Sequence, residues 1–360
     1  MKNIRLLLLV VLLVLITVTC VFAKESESEL NAQFEQLKID NILFELEENG
    51  IDLENEYTSL DELLIDVDKL FNESKINLKI KKNIDKLTKA DYVIESNDGE
   101  IYSSKHGRCG KVEKIEENLE KVNEQLPLKS LDQIVPMSKE NPTASEVHGG
   151  TGGAFSREQL EFIGFYKIKA DITLPTVTIN KNPETGIYDE QAWVYFGFDD
   201  ENFANGIEAG FAYQTGTHRW LPYIRYGETL FKYDDTPYYD GDFIEMVRAR
   251  VTDDSTNNVQ LMIDYETIIS RTKQFNNYNT LSVKKVSSIA KDGFDGTNIS
   301  GSSIDCIFDD CRAGTIDEPY EDFEDFTLYS YWSDKYKKWY GTIDWPLSMI
   351  DRSGNAISID

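Results

Sequence analysis

Short segments in which apolar and polar residues alternate fill the chain from residue 158 to its C terminus, and they limit its possible folds strongly. In residues 259–265, Val, Leu, Ile and Tyr occupy the odd positions, and Gln, Met and Asp occupy the even ones. This period of two is typical of a half-buried β-strand. Turn-forming runs such as NPETG at 182–186 separate the segments. Many strands joined by such turns predict a β-sandwich or jelly roll.

Residues 24–147 follow a different pattern, in which apolar residues recur at helical spacing among many acidic ones. Ser59 and Glu62 form a capping box ahead of the apolar run 63–71, which predicts the start of a helix. Residues 112–126 repeat apolar side chains at intervals of three and four, and the proline that follows ends this predicted helix. Residues 92–102 predict a β-hairpin with a turn at an Asp-Gly pair.

The aromatic composition changes sharply along the chain. All five tryptophans follow residue 190, and only three of the 19 tyrosines precede residue 150. The change coincides with a glycine-rich run, VHGGTGG, at 147–153. We therefore predict an α+β chain with a signal peptide at 1–23 and an acidic, mainly helical region at 24–147. A glycine-rich linker at 148–157 and an all-β domain at 158–360 complete this prediction.

The N terminus follows the pattern of an export signal. Lys2 and Arg5 precede an apolar stretch at 6–18, and Val21 and Ala23 place small residues at a cleavage site. Two alternatives stay open. One is an uncleaved anchor, because residues 6–23 nearly reach the ~20 needed to span a bilayer. The other is a lipoprotein acylated at Cys20, although the residues before it fit that motif poorly. We expect a secreted or cell-surface protein, without a membrane span after cleavage.

Cysteine usage fits an exported protein. Cleavage after Ala23 leaves Cys109, Cys306 and Cys311. Four residues separate Cys306 from Cys311, and this gap predicts a small disulfide loop closed across a turn in an oxidising compartment. Two unpaired thiols are the alternative. The sequence leaves open whether Cys109 is buried or exposed.

Acidic residues dominate the charged composition. With 64 acidic and 37 basic residues, the net charge is −27, which argues against nucleic acids and anionic membrane surfaces as partners. Acidic loops supply candidate calcium ligands at Asp240, Asp242, Asp292 and Asp295. Calcium takes 6–8 oxygen ligands from such loops. Because Asp and Gly are also common in ordinary turns, both interpretations stay open.

The familiar catalytic patterns are missing. A glycosidase built on a sandwich needs paired carboxylates on one strand, such as Glu-x-Asp-x-x-Glu, and this spacing does not occur. The run His148-Gly149-Gly150 is similar to an oxyanion loop, but no Gly-x-Ser-x-Gly elbow accompanies it. The three histidines lie in unrelated contexts, which argues against a zinc hydrolase. We therefore expect a protein that is not an enzyme, with a hydrolase of unrecognised site as the alternative.

Aromatic and polar residues cluster in two short stretches, at 213–226 and 329–345. Aromatic rings stack on sugar rings, and neighbouring Asp, Asn and Arg side chains orient them. This pattern predicts ligand contacts. The alternative is that these rings fill the core of the sandwich, and Trp193 and Trp220 fit that role best. The predicted ligand-binding residues are Tyr213, Trp220, Tyr223, Arg225 and Trp339.

Three runs carry a resemblance to a known group of proteins. They are WVYFGFD at 193–199, EAGFAY at 208–213 and WLPYIR at 220–225. Together they resemble the YrpD-like group of secreted proteins from Gram-positive, spore-forming bacteria, whose role is not established. The resemblance extends from about residue 162 to 345 and does not include the helical region.

The same order of motifs is similar, more distantly, to that of the glutamic peptidases, and this resemblance implies a concanavalin-like sandwich. Glu208 stands where that family has its catalytic Gln, and Pro222 stands where it has the Glu of a Trp-x-Glu motif. The Gly241-Asp242 pair matches only a structural turn. The peptidase needs the Glu as general base and the Gln to stabilise the oxyanion. The resemblance therefore implies the sandwich but not the chemistry.

From these patterns we expect a secreted or cell-envelope protein whose β-sandwich binds a glycan or another cell-wall polymer. A module for protein–protein interaction at the cell surface, without catalytic activity, is the alternative.

Overall fold

A computed structural model describes residues 27–53, 57–96, 98–114, 153–160, 163–199, 206–226, 229–252, 258–272, 281–291, 299–315, 319–326, 330–333, 338–341, 343–345, 349–353 and 356–360. For residues 330–333, 338–341 and 343–345 only the backbone is described. The chain divides into two compact units. The first comprises residues 1–88 and 96–99, and the second comprises residues 89–95 and 100–360.

The described α-helices all lie near the N terminus, and a short 3-10 helix spans Phe323–Asp325. The α-helices are α1 Glu27–Glu48, α2 Leu60–Asn72 and α3 Leu78–Lys89. The capping prediction is confirmed, because the Ser59 side chain accepts a hydrogen bond from the Glu62 backbone N–H at 3.4 Å. Leu63, Val67 and Leu70 then form the buried stripe of α2. In the part of the structure that is described, no helix is long and apolar enough to cross a membrane.

Most of the described chain after α3 is β-structure. The strands are β1 Asp91–Glu95, β2 Glu100–Ser103, β3 Gly107–Lys111, β4 Glu113–Lys114, β5 Gly153–Gln159, β6 Phe165–Thr173, β7 Thr176–Thr178, β8 Glu190–Asp199, β9 Ile207–Gln214, β10 Arg219–Tyr226, β11 Thr229–Lys232, β12 Phe243–Val251, β13 Asn258–Ile263, β14 Thr267–Thr272, β15 Ser282–Lys291, β16 Ser302–Thr315, β17 Glu321–Asp322, β18 Ser330–Ser333, β19 Lys338–Gly341, β20 Ile343–Trp345, β21 Ile350–Ser353 and β22 Ala356–Ile359.

These strands form two large sheets and a separate two-stranded ribbon. Sheet I has the order β21-β22-β16-β6-β12-β13-β14-β1-β2-β3, with β7 and β17 also paired to β16. Sheet II has the order β20-β5-β15-β8-β9-β10-β11-β4, and β18 pairs with β19. One hydrophobic core joins side chains of sheet I, such as Ile168 and Leu261, to side chains of sheet II, such as Phe196 and Phe211. The predicted fold, a β-sandwich preceded by helices, is confirmed.

The predicted hairpin at 92–102 is present, but it belongs to the sandwich. β1 pairs with β2 in antiparallel register, and Gly99 adopts a positive φ of 77° in the turn between them. β1 also pairs with β14 in parallel register. Val93 and Ile101 enter the sandwich core, which ties this hairpin to the strands that follow. The strand unit therefore starts well before the predicted linker at 148–157. The predicted helix at 112–126 lies mostly outside the described residues.

The predicted disulfide between Cys306 and Cys311 is wrong, because Cys109, Cys306 and Cys311 are all free thiols. Cys306 and Cys311 lie on the same strand, β16, which continues through both positions despite a bulge. A strand rises about 3.3 Å per residue, whereas a disulfide needs Cα atoms roughly 5.5–6 Å apart. The turn that would bring the two cysteines together is replaced by pairing with β6.

Candidate ligand-binding face

The two faces of sheet II have different roles. β9 and β10 pair without a bulge from Ile207 and Tyr226 to Gln214 and Arg219, so alternate residues share a face. Residues such as Phe211 belong to the core between the sheets. The intervening residues lie on the opposite side of sheet II, which we call the outer face.

The strand register arranges the outer face in three cross-strand rows. The apolar row is Phe155, Ser288, Trp193, Ala212 and Leu221. The middle row is Arg157, Val286, Tyr195, Gly210, Tyr223 and Lys232. The charged row is Gln159, Lys284, Gly197, Glu208, Arg225 and Leu230.

Three rings at the centre of this face form what we call the aromatic platform: Trp193, Tyr195 and Tyr223. The centroid of the Tyr223 ring lies 5.0 Å from the centroid of the Trp193 ring and 6.5 Å from that of the Tyr195 ring, and both contacts are edge-to-face. These rings come from β8 and β10, which are separated by β9. They can meet across β9 because its residues at this point are small, Gly210 and Ala212.

Gly210 is required by the close approach of β8. A Cβ atom at this position would lie 2.2 Å from the Val194 carbonyl oxygen and 2.5 Å from the Tyr195 Cα. Backbone atoms cannot move away from such a contact without breaking the sheet. Any larger residue here would therefore displace the strand that carries Tyr195.

A buried ion pair borders the platform. Lys284 Nζ lies 2.7 and 2.9 Å from the two carboxylate oxygens of Asp199, and the Gln159 amide donates to the same carboxylate at 3.2 Å. The lysine chain passes over Gly197, where a Cβ would lie 2.3 Å from Lys284 Cε. The pair therefore depends on a residue without a side chain beneath it.

Glu208 is the acidic group at the centre of the outer face. Its Oε2 atom accepts a hydrogen bond from the Tyr223 hydroxyl at 3.1 Å, and Arg225 Nη1 lies 3.7 Å away. Burial raises the pKa of the Glu208 carboxyl above its usual value, although Lys284 and the Tyr223 hydrogen bond oppose this shift. Its side chain is still 23 % exposed, so a ligand can reach it.

Other members of the outer face are also accessible. Phe155, Arg157, Tyr195, Arg225 and Lys232 are half-buried, in contrast to the fully buried core residues between the sheets. The face therefore presents aromatic rings beside hydrogen-bonding and charged groups. Such a combination can hold a ligand that has both apolar faces and polar edges.

Two of the predicted ligand-binding residues belong to the core instead, which corrects that prediction. Tyr213 is 1 % exposed and Trp220 is 0 % exposed, and both pack in the core cluster. The Trp220 indole N–H donates to Asp240 at 2.9 Å, and the Tyr213 hydroxyl lies 3.1 Å from His218 Nδ1. Their large rings fill space between the sheets.

The other predicted ligand-binding residues have different positions. Tyr223 and Arg225 lie on the outer face, where Tyr223 is fully buried within the aromatic platform and Arg225 is half-buried. Trp339 lies on β19, directly opposite Trp332 of β18, and its side chain is outside the described residues. The prediction for Trp339 stays a prediction.

The predicted calcium ligands that are described make hydrogen bonds within the protein. Asp240 accepts from the Val177 backbone N–H at 3.1 Å as well as from Trp220, and Asp242 accepts from the Tyr239 backbone N–H at 2.8 Å. Asp292 and Asp295 lie outside the described residues. Among the residues that are described, no group of three or more His, Cys, Asp or Glu side chains could hold a metal ion.

The strand alternation also separates the two positions matched to the peptidase motif. Glu208 lies on the outer face. Pro222 comes two residues after Trp220 on β10 and therefore lies on the same side of the strand as Trp220, which is the core side. The two positions therefore cannot form one catalytic site. Sequence reasoning missed Trp193 and Tyr195 as outer-face residues, although their alternation with Val194 and Phe196 in β8 was a usable signal.

Comparisons with known proteins give similarities at the level of solved structures. A Scytalido-glutamic peptidase is 16 % identical with a TM-score of 0.36, covering 57 % of this chain and 97 % of that one. The carbohydrate-binding module CBM66 from Bacillus subtilis is 11 % identical with a TM-score of 0.23, covering 39 % and 82 %. A Bacteroides ovatus mixed-linkage glucan GH16 protein is 16 % identical with a TM-score of 0.26, covering 51 % and 81 %. Similarities of this size carry no argument about activity or ligand.

No protein-family model matches the sequence, and the comparison with curated proteins gives no match either. The function must therefore be inferred from the residues of the chain itself.

Proposed function

We propose that this chain is exported and that the outer face of sheet II binds a glycan or another cell-wall polymer. The observation that carries the proposal is the aromatic platform, with the half-exposed Tyr195 beside the polar groups of Glu208 and Arg225. Sugar rings have apolar faces that pack on aromatic side chains, and their hydroxyl groups need donors and acceptors at the edges. Glu208 and Arg225 supply both kinds of group.

Export is proposed from the N-terminal pattern of residues 1–23. An extracellular polymer would be accessible to a secreted protein, so the two proposals agree. The resemblance to the YrpD-like group of secreted proteins supports the same localisation.

The test is co-sedimentation of the mature full-length protein with insoluble glucans, chitin and purified Gram-positive cell walls. Arg225→Ala should reduce retention about tenfold, the size expected when a charged hydrogen-bonding contact worth roughly 1.4 kcal/mol is lost. Arg312→Ala is the matched control, because Arg312 is a partly exposed arginine on β16 of sheet I. Circular dichroism should show that both variants are folded.

Two results would contradict this proposal. The first is that the wild type is retained by none of these polymers. In that case capture of envelope proteins would favour the protein–protein alternative. The second is equal loss of retention in Arg225→Ala and Arg312→Ala.

A hydrolase is the second candidate, and one observation favours it. Glu208 has a raised pKa, is partly exposed and lies beside the Tyr223 hydroxyl, so it can carry a proton under conditions where ordinary carboxyl groups have lost theirs. A general acid needs this property. Release of reducing sugars from a retained polymer, abolished in Glu208→Gln, would support this second candidate over binding alone.

A further inference from the structure

The accessible groups of the outer face are spread across six adjacent strands of sheet II, from β5 to β11. In the middle row, Arg157 lies on β5, Tyr195 on β8 and Lys232 on β11, and all three are half-buried. Five strand intervals separate Arg157 from Lys232. At about 4.8 Å per interval, the row is roughly 24 Å long. This length exceeds what a single sugar ring could contact.

The platform makes the centre of this row continuous. Larger side chains on β9 would stand between the rings of β8 and those of β10. The 5.0 Å contact between Trp193 and Tyr223 instead closes the gap across Gly210 and Ala212. The buried rings of Trp193 and Tyr223 therefore form an aromatic layer from β8 to β10, perpendicular to the strands, and the half-buried Tyr195 is the accessible ring of this layer.

The rows on either side of the middle row differ in chemistry. In the apolar row Phe155 is accessible beside the buried Ser288 and Trp193, whereas the charged row offers the partly exposed Glu208 and Arg225. A ligand aligned with the rows would keep one edge against apolar groups and the other against hydrogen-bonding groups along its length. A ligand aligned with the strands would cross all three rows and lose this match.

We propose that the outer face binds an extended linear glycan that lies across the strands, in contact with Arg157 at one end and Lys232 at the other. This inference rests on the proposed function, since it specifies the length and direction of the polymer that the same face binds. Lys232 Nζ also lies 3.7 Å from Glu113 Oε2, so the end of the middle row at β11 has an ammonium group beside a carboxylate. The two ends belong to different strands and can be changed separately.

The experiment measures the affinity of the mature full-length protein for size-fractionated oligomers, from dimers to octamers, of β-1,3-glucan, β-1,4-glucan, chitin and polygalacturonate. Affinity should rise with length until the oligomer spans the row. Arg157→Ala and Lys232→Ala should each weaken binding of the longest oligomers about tenfold, whereas a dimer should respond to one of them at most. Lys105→Ala, an exposed lysine after β2, is the control and should change neither.

The outcomes separate this inference from the proposed function. If oligomers bind but affinity stops rising at the dimer, or one of the two end variants leaves octamer binding unchanged, the extended site is refuted while glycan binding stands. If the wild type binds no oligomer and no insoluble polymer, both proposals fail together. Near-ultraviolet circular dichroism of each variant shows whether a loss of affinity comes from unfolding.

Discussion

At the residue scale, Glu208 shows how position decides the behaviour of an ordinary side chain. In the sequence it is one acid among 64. In the structure it lies beside Tyr223 and near Arg225, in a site buried enough to raise its pKa. The cost of burying its charge is only partly offset by Lys284 and by the Tyr223 hydrogen bond.

Glu208→Gln should change how stability depends on pH. A carboxyl whose pKa is raised by folding contributes stability that is fully present below the unfolded pKa, near the ordinary value of 4.5, and is lost as the pH rises through the folded pKa. The free energy of unfolding of the wild type should therefore fall relative to that of Glu208→Gln as the pH is raised from about 4.5. Urea unfolding at a series of pH values measures this difference.

The matched control is Glu184→Gln, which neutralises an exposed carboxyl in the loop before β8. A difference between Glu208→Gln and the wild type that stays constant with pH, or that changes in the opposite direction, would show that burial does not raise the pKa of Glu208.

At the element scale, β16 shows that strand pairing, and not the spacing of two cysteines, decides the local backbone structure. The gap between Cys306 and Cys311 suits a small loop, but pairing with β6 on one side and with β22 on the other keeps the segment extended. Burial raises the pKa of each of these thiols to about 12, and burial together with Asp235 raises the pKa of Cys109 to about 12 as well, so all three remain protonated and differ in reactivity through the accessibility of their sulfur atoms.

Thiol labelling without reductant should reflect these positions. In the native protein, maleimide should label Cys109 fastest, because Cys109 is exposed while Cys306 is buried and Cys311 is half-buried. In denaturant without reductant, all three should be labelled, as counted by mass spectrometry. Labelling of Cys109 alone after denaturation would demonstrate a Cys306–Cys311 bridge and contradict the structure.

Much of the element structure was predictable, because local patterns specify it. The helix start at Ser59 and the turn at Gly99 could be predicted from the sequence, because each depends on residues only a few positions away. The parallel pairing of β1 with β14 was not, because nothing local to residues 91–95 specifies a partner at 267–272. Strand pairing over such distances depends on the whole core.

At the scale of the whole molecule, the candidate site is a property of the strand register. Alternation indicates which residues of one strand share a face, but it does not indicate which face is the core or which strands are neighbours. The aromatic clusters and the alternation in β8 were therefore visible in the sequence, which also favoured Trp220 for the core. The alternation did not indicate which set of residues in β8 faces outward, so Tyr195 was not assigned to the outer face. Glu208 and Asp199 lie on the neighbouring strands β9 and β8, so no spacing along a single strand could indicate them together.

The central claim is that the outer face binds a glycan through its aromatic platform, and the affinity of Tyr195→Ala tests it most directly. Tyr195 is the half-buried member of the platform, and Tyr239→Ala is the matched control because Tyr239 is an exposed tyrosine in the loop before β12. In calorimetric titrations with a polymer that the wild type binds, Tyr195→Ala should lose roughly 1–3 kcal/mol of binding free energy, while Tyr239→Ala keeps wild-type affinity. Equal affinities of the wild type and a folded Tyr195→Ala would contradict the account.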